Sequence, residues 1–308
     1  MNRGKFGISE ERSDRVNKLH MTNHVKGILY IIAAAVGFSF MTFFVKLSGD
    51  LPTMQKVFFR NAVALTIAVF TVIKSGEKFY IEKRNRMDIL MRCVFGTSGV
   101  IANFYAIDKL DLSDANMLNK LSPFFAIILS IPILKEKPSK TDITATIIAF
   151  IGALFIIRPT GTNLQLIPAL SGLYGGFGAG MAYVFVRKLG KKGERTAIIV
   201  MCFSLFSCLV ALPSLIFNYH HMEFKQLMFL VIAGASAALG QFGITSAYKC
   251  APAKDISVFD YTQVIFAALW GLLFLGEIPV PLSIVGYIII IGVAVVRWMN
   301  ARKESPAQ

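Results

Sequence analysis

Ionisable side chains inside apolar runs are the residues of this 308-residue sequence that are best placed to do chemistry. Arg60, Lys120 and Asp260 each stand several residues inside a long hydrophobic stretch, whereas Lys46 and Arg92 stand nearer the ends of theirs. In a membrane span each such charge costs at least about 2.5 to 3.5 kcal/mol on insertion scales, so it is a functional candidate by default. A buried cation and anion together would suit a zwitterionic or amphoteric substrate.

Polar residues accompany two of these charges at helical spacing. Asn116, Asn119 and Lys120 are spaced i, i+3, i+4, and Ser257, Asp260 and Tyr261 repeat that spacing. Residues three and four apart share one face of a helix, so both polar faces are expected to point into one cavity. The other candidates for substrate binding are Arg60, Asn103, Tyr105, Tyr183 and Gln241.

The Lys120 and Asp260 charges admit several hypotheses, which the sequence leaves open. They contact substrate, or they pair with each other and only lock the structure, or the long lysine reaches the membrane interface. Asp260 is also the candidate coupling site for protons, because burial favours the neutral carboxyl whereas a nearby cation favours the charged one. For single polar residues, interhelical hydrogen bonds of about 0.6 kcal/mol are the commoner explanation.

The elements that must position these residues are membrane-spanning helices. Hydrophobic residues make up 55% of the chain and charged residues 16%, with a mean hydropathy of +0.60; soluble domains carry about 25% charged residues. The apolar residues form runs of roughly 20, the length of a helix that crosses a bilayer. Continuous runs rather than alternating polarity predict helices, so the fold class is an all-α integral membrane protein.

Ten such runs predict ten transmembrane helices. They cover residues 25–47, 55–73, 88–107, 114–134, 141–157, 167–186, 196–217, 224–248, 256–275 and 282–298.

Basic residues predict the orientation of these helices. Most lysines and arginines fall in the loops of one side, and the other side has only Lys56, Lys109, Arg158 and Lys225. Lysine and arginine accumulate on the cytoplasmic side, which accounts for the net charge of +14 without nucleic-acid binding. We therefore expect a multi-pass protein of the plasma (inner) membrane with both termini cytoplasmic. Residues 1–24 are predicted to be a disordered cytoplasmic tail, and 299–308 a second tail.

An internal repeat organises the chain. Residues 108–138 return as residues 249–279, with Glu136 over Glu277 and Asn119 over Asp260, an offset of 141 residues (277 minus 136). Each half contains five predicted helices, and an odd number makes the two halves cross the membrane in opposite directions. Inverted repeats of this kind are typical of secondary transporters, whose substrate site lies near the midplane between the halves.

Small residues and prolines mark the expected packing and bending positions. Gly172, Gly176 and Gly180 recur at four-residue spacing, which allows another helix to approach closely. Pro123 is expected to bend its helix just after Lys120. Glu277 and its counterpart in the first half are interpreted as turn residues at the membrane edge.

Three features together resemble the EamA domain of the drug/metabolite transporter superfamily. They are the ten helices in two halves, the Phe59-Arg60 pair, and the Leu-x-Glu-x-Pro pattern at Leu134–Pro138 and Leu275–Pro279. The resemblance implies two EamA repeats, residues 25–158 and 167–298, around a central cavity. It also implies transport of small metabolites, such as amino acids, S-adenosylmethionine, nucleotide-linked compounds or drugs, and a largely architectural Arg60.

The predicted function is secondary active transport of a small metabolite, an amino acid or a related amphoteric compound, by alternating access. An exporter or exchanger is favoured. The alternatives are an importer of S-adenosylmethionine or a nucleotide-linked metabolite, and a membrane receptor or scaffold that does not transport.

An enzyme is not expected, because the four histidines stand in the tail or an external loop, and no phosphate-binding loop or metal-ligand cluster occurs. No cofactor or metal is predicted. The predicted partners are a small-molecule substrate, the lipid bilayer, and a proton or counter-substrate, with the protein as a monomer or homodimer and no nucleic acid bound.

Overall fold

The computed structural model describes residues 4–76, 80–135, 139–157, 165–250 and 259–304, with side chains described from residue 25 to residue 300. All regular elements within these ranges are helical. The α-helices are α1 Gly4–Leu47, α2 Thr53–Lys74, α3 Arg86–Lys109, α4 Leu112–Asn119, α5 Ser122–Leu134, α6 Lys140–Ile157, α7 Leu166–Lys191, α8 Thr196–Phe217, α9 Phe224–Cys250, α10 Thr262–Trp270 and α11 Pro281–Glu304. A 3₁₀ turn, Lys83–Asn85, precedes α3, and a π-helical turn, Gly271–Leu275, continues α10.

Eight helical spans are long and apolar enough to cross a membrane, and α4 with α5 counts as one of them. The other two predicted spans correspond to α6, of 18 residues, and to the shorter apolar helix Thr262–Leu275. The prediction of an all-helical, multi-pass membrane protein is confirmed. The crossings of α6 and α10 stay a prediction.

Helix α1 departs from the expected disordered tail over residues 1–24, because it begins at Gly4. The segment is rich in lysine, arginine and glutamate, which are good helix formers. It also has no proline between Gly4 and Leu47, so the first spanning helix extends toward the N-terminus without interruption.

Helices of one half pack mainly on helices of the other half. The first helix of each half contacts the third helix of the other, as α1 does with α9 and α7 with α3. The second helices, α2 and α8, pack together, and so do the fifth helices, α6 and α11. Exchanging the two halves leaves this pattern unchanged, which is what two-fold-related halves would give.

Glycine pairs bring the first and third helices together at two equivalent places. A Cβ atom on Gly37 would lie 2.7 Å from the backbone nitrogen of Gly240, and one on Gly178 would lie 2.8 Å from the Cα of Gly99. The repeat offset converts the first pair into the second. Backbones in membranes approach this closely only where side chains are absent, so these glycines set the spacing of the central helices.

The fourth helix of the first half is interrupted, which corrects the predicted continuous helix over residues 114–134. Helix α4 ends at Asn119 and α5 begins at Ser122, so that Lys120 and Leu121 form a turn between them. Pro123 stands in the first turn of α5, where its missing N–H is tolerated. The bend predicted from this proline is thus a two-residue interruption within one span, in which Lys120 and Leu121 keep near-helical backbone angles.

The fourth helix of the second half is interrupted at the equivalent position. Residues 259 and 260 are helical, Tyr261 is a turn, and α10 begins at Thr262. The prediction of one helix over residues 256–275 is therefore corrected here too, and its first three residues lie outside the described residues. The two helices also end alike, at left-handed residues Lys135 (φ 55°) and Gly276 (φ 66°), which the repeat offset superposes.

Candidate substrate site

The two helix breaks meet at the centre of the molecule and are joined by an ion pair. Lys120 Nζ lies 2.6 Å from Asp260 Oδ2, and the two side chains are 3% and 0% exposed. Tyr261 Oη donates a hydrogen bond of 3.0 Å to the Lys120 carbonyl. That carbonyl is available because the Phe124 N–H, its partner in a continuous helix, donates to Leu121 instead. The breaks therefore hold each other in place.

A cavity of about 60 Å³ lies beside this ion pair, between the helices of both halves. Six of the residues predicted to bind substrate line it, namely Arg60, Asn103, Asn119, Lys120, Tyr183 and Gln241. The structure thus brings together residues of α2, α3, α7, α9 and the first helix break. This gathering supports a shared cavity, and substrate contact by each residue stays a prediction.

Asn116 and Tyr105 are described candidates that do not line the cavity. Asn116 is engaged between helices, because it accepts a 2.5 Å hydrogen bond from Gln263 and donates one of 2.7 Å to the Leu112 carbonyl. Tyr105 is half-buried on α3. Ser257 lies outside the described residues. For Asn116, the bond between helices is the role that the geometry favours.

Arg60 is fully buried in the wall of the cavity. Its Nη1 donates to Asn61 Oδ1 at 2.5 Å and its Nε to Met41 Sδ at 3.3 Å. Its Nη2 has no hydrogen-bond partner within the described part of the chain. The salt bridges between described residues do not include Arg60, so its charge faces the cavity without a carboxylate.

Arg92 is a second buried arginine of the cavity, although its position near the end of an apolar run did not predict a role in substrate binding. It is 2% exposed, and its Nη2 donates to Gln241 Oε1 at 2.9 Å, whereas Nε is unpartnered among the residues described. Gly96 makes the room, since a Cβ there would lie 2.1 Å from Arg92 Nη1. Arg92 and Gly96 are four residues apart, so they share one helical face, and this spacing could have indicated from the sequence that there is room for the Arg92 side chain.

The ring of Phe203 lies against both arginines. The guanidinium carbon of Arg92 is 4.1 Å from the ring centroid and that of Arg60 is 5.9 Å away. Cation–π contacts at these distances partly compensate for lost hydration. Arg60, Arg92 and Phe203 all line the same cavity.

Glu277 joins three helical elements on the side that the sequence predicts to be external. Its carboxylate lies 2.5 Å from Lys46 Nζ and accepts a 2.7 Å hydrogen bond from the Leu112 N–H at the start of α4. The interpretation of Glu277 as a turn and interface residue fits these contacts. Its counterpart Glu136 lies outside the described residues.

The opposite side is also tied. Lys188 and Lys192 at the end of α7 lie 2.8 and 2.6 Å from the carboxylate of Asp88 on α3. The cavity of about 60 Å³ between these ties is far smaller than the roughly 300 to 1,000 Å³ of ordinary ligand pockets. A metabolite can enter only if helices separate on one side.

The glycines of α7 form the predicted close-packing surface, and the surface they approach is the first helix break. A Cβ on Gly176 would lie 2.7 Å from the Leu118 carbonyl oxygen, and one on Gly180 would lie 2.7 Å from that of Ser122. The glycine spacing therefore lets α7 lie directly against the backbone on both sides of Lys120.

Comparisons with known proteins agree with this architecture. The model of the EamA-like transporter family matches residues 25–158 and 166–298. The pseudopaline exporter CntI of Pseudomonas aeruginosa is 31% identical over 268 residues, which cover 86% of this chain and 93% of that protein. Human solute carrier family 35 member G1 is 24% identical over 297 residues, 90% of this chain and 81% of the relative.

A solved crystal structure has the same fold, with a TM-score of 0.68 over 91% of this chain and 99% of the other, at 14% sequence identity. The two segments matched by the family model cover almost all of the apolar part of the sequence. This chain is therefore a member of the EamA-like transporter family.

Proposed function

We propose that this protein is a secondary active transporter that moves a small amphoteric metabolite by alternating access around the central cavity. Ten helices in two inverted five-helix repeats would form it. The observation that carries the proposal is the Lys120–Asp260 ion pair, 2.6 Å long and buried where the two helix breaks meet beside the cavity. Transporters commonly build their substrate sites from interrupted helices near the midplane.

Alternating access is supported by the ties on the two sides of the cavity. Glu277 pairs with Lys46 on one side, and Asp88 pairs with Lys188 and Lys192 at the C-terminal end of α7 on the other. Opening one side while the other stays closed would expose the cavity to one compartment at a time. Because each helix contact between the halves has an equivalent contact related by the repeat, the inward-open and outward-open states would have nearly equivalent structures.

Export or exchange across the plasma membrane is the favoured direction. The Pseudomonas relative is named an exporter, and the human relative is named a solute carrier. The excess of basic residues in the loops of one side supports cytoplasmic termini. An amphoteric substrate would place a cationic group near Asp260 and an acid group near the surrounding cations.

Asp260 is the proposed coupling residue. A proton on its carboxyl would release Lys120, as would the cationic group of a substrate that replaces Lys120 as the partner. Either event removes the ion pair between the two helix breaks, so the breaks become free to move. In a counter-substrate mechanism the second event alone would drive exchange.

The proposal is tested with the purified protein in liposomes. Uptake of a labelled amino-acid and S-adenosylmethionine panel would be compared for wild type, Lys120→Ala and Asp260→Asn, with and without a pH gradient. Arg84→Gln is the control, since the Arg84 side chain is exposed at the surface and pairs with the exposed Glu82. Loss of gradient-driven accumulation with retained counterflow in Asp260→Asn would identify Asp260 as the coupling residue, whereas loss of both would identify its carboxylate as a substrate contact.

Two results would contradict parts of this proposal. Wild-type transport by both charge variants would show that the ion pair is structural and would move the search to the asparagine and tyrosine lining. Binding of a solute without uptake or counterflow by wild type would favour the receptor alternative over the carrier.

A further inference from the structure

The cavity has more positive than negative charge. Arg60, Arg92 and Lys120 line it, and Asp260 is the acidic side chain in ion-pair contact with this group among the described residues. Asp260 at 2.6 Å neutralises Lys120, and neither guanidinium group has a carboxylate in ion-pair contact among the residues that the structure describes. Arginine stays protonated in proteins, so these charges cannot be removed by losing a proton.

Both arginines also present an unused donor. Arg60 Nη2 and Arg92 Nε are buried and have no hydrogen-bond partner in the part of the chain that the structure describes. Isolated buried charges are strongly unfavourable unless they are paired and hydrogen-bonded. Both arginines line one cavity and both lie near the Phe203 ring, which indicates that a ligand in the cavity supplies the missing acceptors.

We infer that the cavity binds an organic anion with two acid groups, of the dicarboxylate or amino-dicarboxylate class, and that Arg60 and Arg92 bind these groups. The inference rests on the proposed carrier function and names its substrate class. Guanidinium groups match carboxylates with paired hydrogen bonds. Two acid groups balance the two unpaired charges, whereas one would leave a buried cation behind. An ammonium group of an amino-dicarboxylate would face Asp260.

This assignment gives Arg60 more than the architectural role that the family resemblance implies. Arg60 Nη1 and Nε are held by Asn61 and Met41, which fix the guanidinium plane and leave Nη2 for a ligand. Gln241 does the same for Arg92 by accepting from Nη2. The protein thus positions each arginine through part of its donor set and leaves the rest free.

The test measures thermal stabilisation of the full-length detergent-purified protein by millimolar solutes. The probes are succinate and glutamate, with lactate, alanine, lysine, chloride and inorganic phosphate for comparison. A ligand that binds only the folded state stabilises it by RT ln(1 + [L]/Kd), so at equal concentration the tighter ligand raises the melting temperature more. We expect succinate and glutamate to stabilise wild type more than every comparison solute.

Arginine variants then locate the binding groups. Arg60→Gln and Arg92→Gln should each weaken dicarboxylate affinity by at least about tenfold, the effect of one lost charge-assisted hydrogen bond. Arg92→Lys keeps the charge and should recover part of the affinity, which also covers the case in which the glutamine variant folds poorly. Arg84→Gln should bind as wild type does. Without ligand, the glutamine variants should be at least as stable as wild type, because a buried unpaired charge has been removed.

Several outcomes would overturn the assignment. One is stabilisation by alanine, lysine or chloride that equals that by succinate, and another is the absence of any dicarboxylate effect. A large loss of stability in the ligand-free arginine variants with unchanged dicarboxylate affinity would make both arginines structural. Counterflow of alanine without dicarboxylate binding would overturn the anion site but not the carrier function. Dicarboxylate binding without counterflow would overturn the carrier function but not the anion site.

Discussion

Removing one charge of the Lys120–Asp260 ion pair should destabilise the protein more than removing both charges. The two atoms are 2.6 Å apart and both side chains are at most 3% exposed. At an effective dielectric constant of about 20, their attraction is on the order of 6 kcal/mol, most of which offsets the cost of burying the charges. Lys120→Met leaves the Asp260 carboxylate buried and unpaired, and such a loss costs about 3 to 5 kcal/mol.

A double-mutant cycle measures the interaction energy between the two charges separately from the effect of each substitution. We expect Lys120→Met to lower the melting temperature by at least about 6 °C, using roughly 2 °C per kcal/mol for a chain of this size. The double variant Lys120→Met with Asp260→Asn should lie within about 1 kcal/mol of wild type, since no unpaired charge remains. The coupling energy would then be at least about 2 kcal/mol. Unfolding is followed by the loss of the monodisperse peak on heating in detergent.

The surface pair provides the matched control for this cycle. Arg84 is 65% exposed and its partner Glu82 is 47% exposed, so Arg84→Gln should change stability by less than about 1 kcal/mol. A double variant as unstable as Lys120→Met alone would contradict the explanation by an unpaired buried charge. That result would mean that Lys120 stabilises the fold through packing and not through Asp260.

Three further substitutions test the packing, the paired breaks and the external ion pair. Gly176→Ala should destabilise the protein by about 1 to 3 kcal/mol in the same heating assay, because its Cβ would lie 2.7 Å from a backbone carbonyl oxygen. Gly292→Ala is the control and should be neutral or slightly stabilising, because a Cβ there would have nothing within 4 Å. Tyr261→Phe removes the 3.0 Å bond between the breaks and should cost about 1 to 3 kcal/mol in the same assay. Glu277→Gln removes an ion pair of the predicted external side and should speed labelling of an Asn119→Cys reporter by a membrane-impermeant maleimide, in a background without the four native cysteines.

Each of these predictions has a contrary result. Equal stability of the Gly176→Ala and Gly292→Ala variants would mean that α7 does not lie against the first break. An unchanged melting temperature for Tyr261→Phe would mean that this hydrogen bond does not stabilise the two helix breaks. Reporter labelling at the wild-type rate after Glu277→Gln would show that this residue does not keep its side of the cavity closed.

Local composition was sufficient to predict the helices and the class of protein. Run length and polarity are properties of consecutive residues, so Thr196–Phe217 was predicted with the same bounds that the structure has. The break after Asn119 was predicted only as a bend, since proline marks where a hydrogen bond is missing but not how the chain responds. The break at Tyr261 has no proline and depends on the partner helix, because Tyr261 is held by the Lys120 carbonyl across the repeat.

The sequence by itself determined which residues are costly to bury, and it selected Arg60, Lys120 and Asp260 on that ground. Only the tertiary structure decided which of them neutralise each other. Lys120 meets Asp260 because distant glycine contacts set the spacing of the helices, and Arg92 reaches the cavity because Gly96 leaves room for its side chain. Burial cost is fixed by residue type and run length, whereas charge pairing depends on helix distance and rotation, which residues far apart in the chain determine.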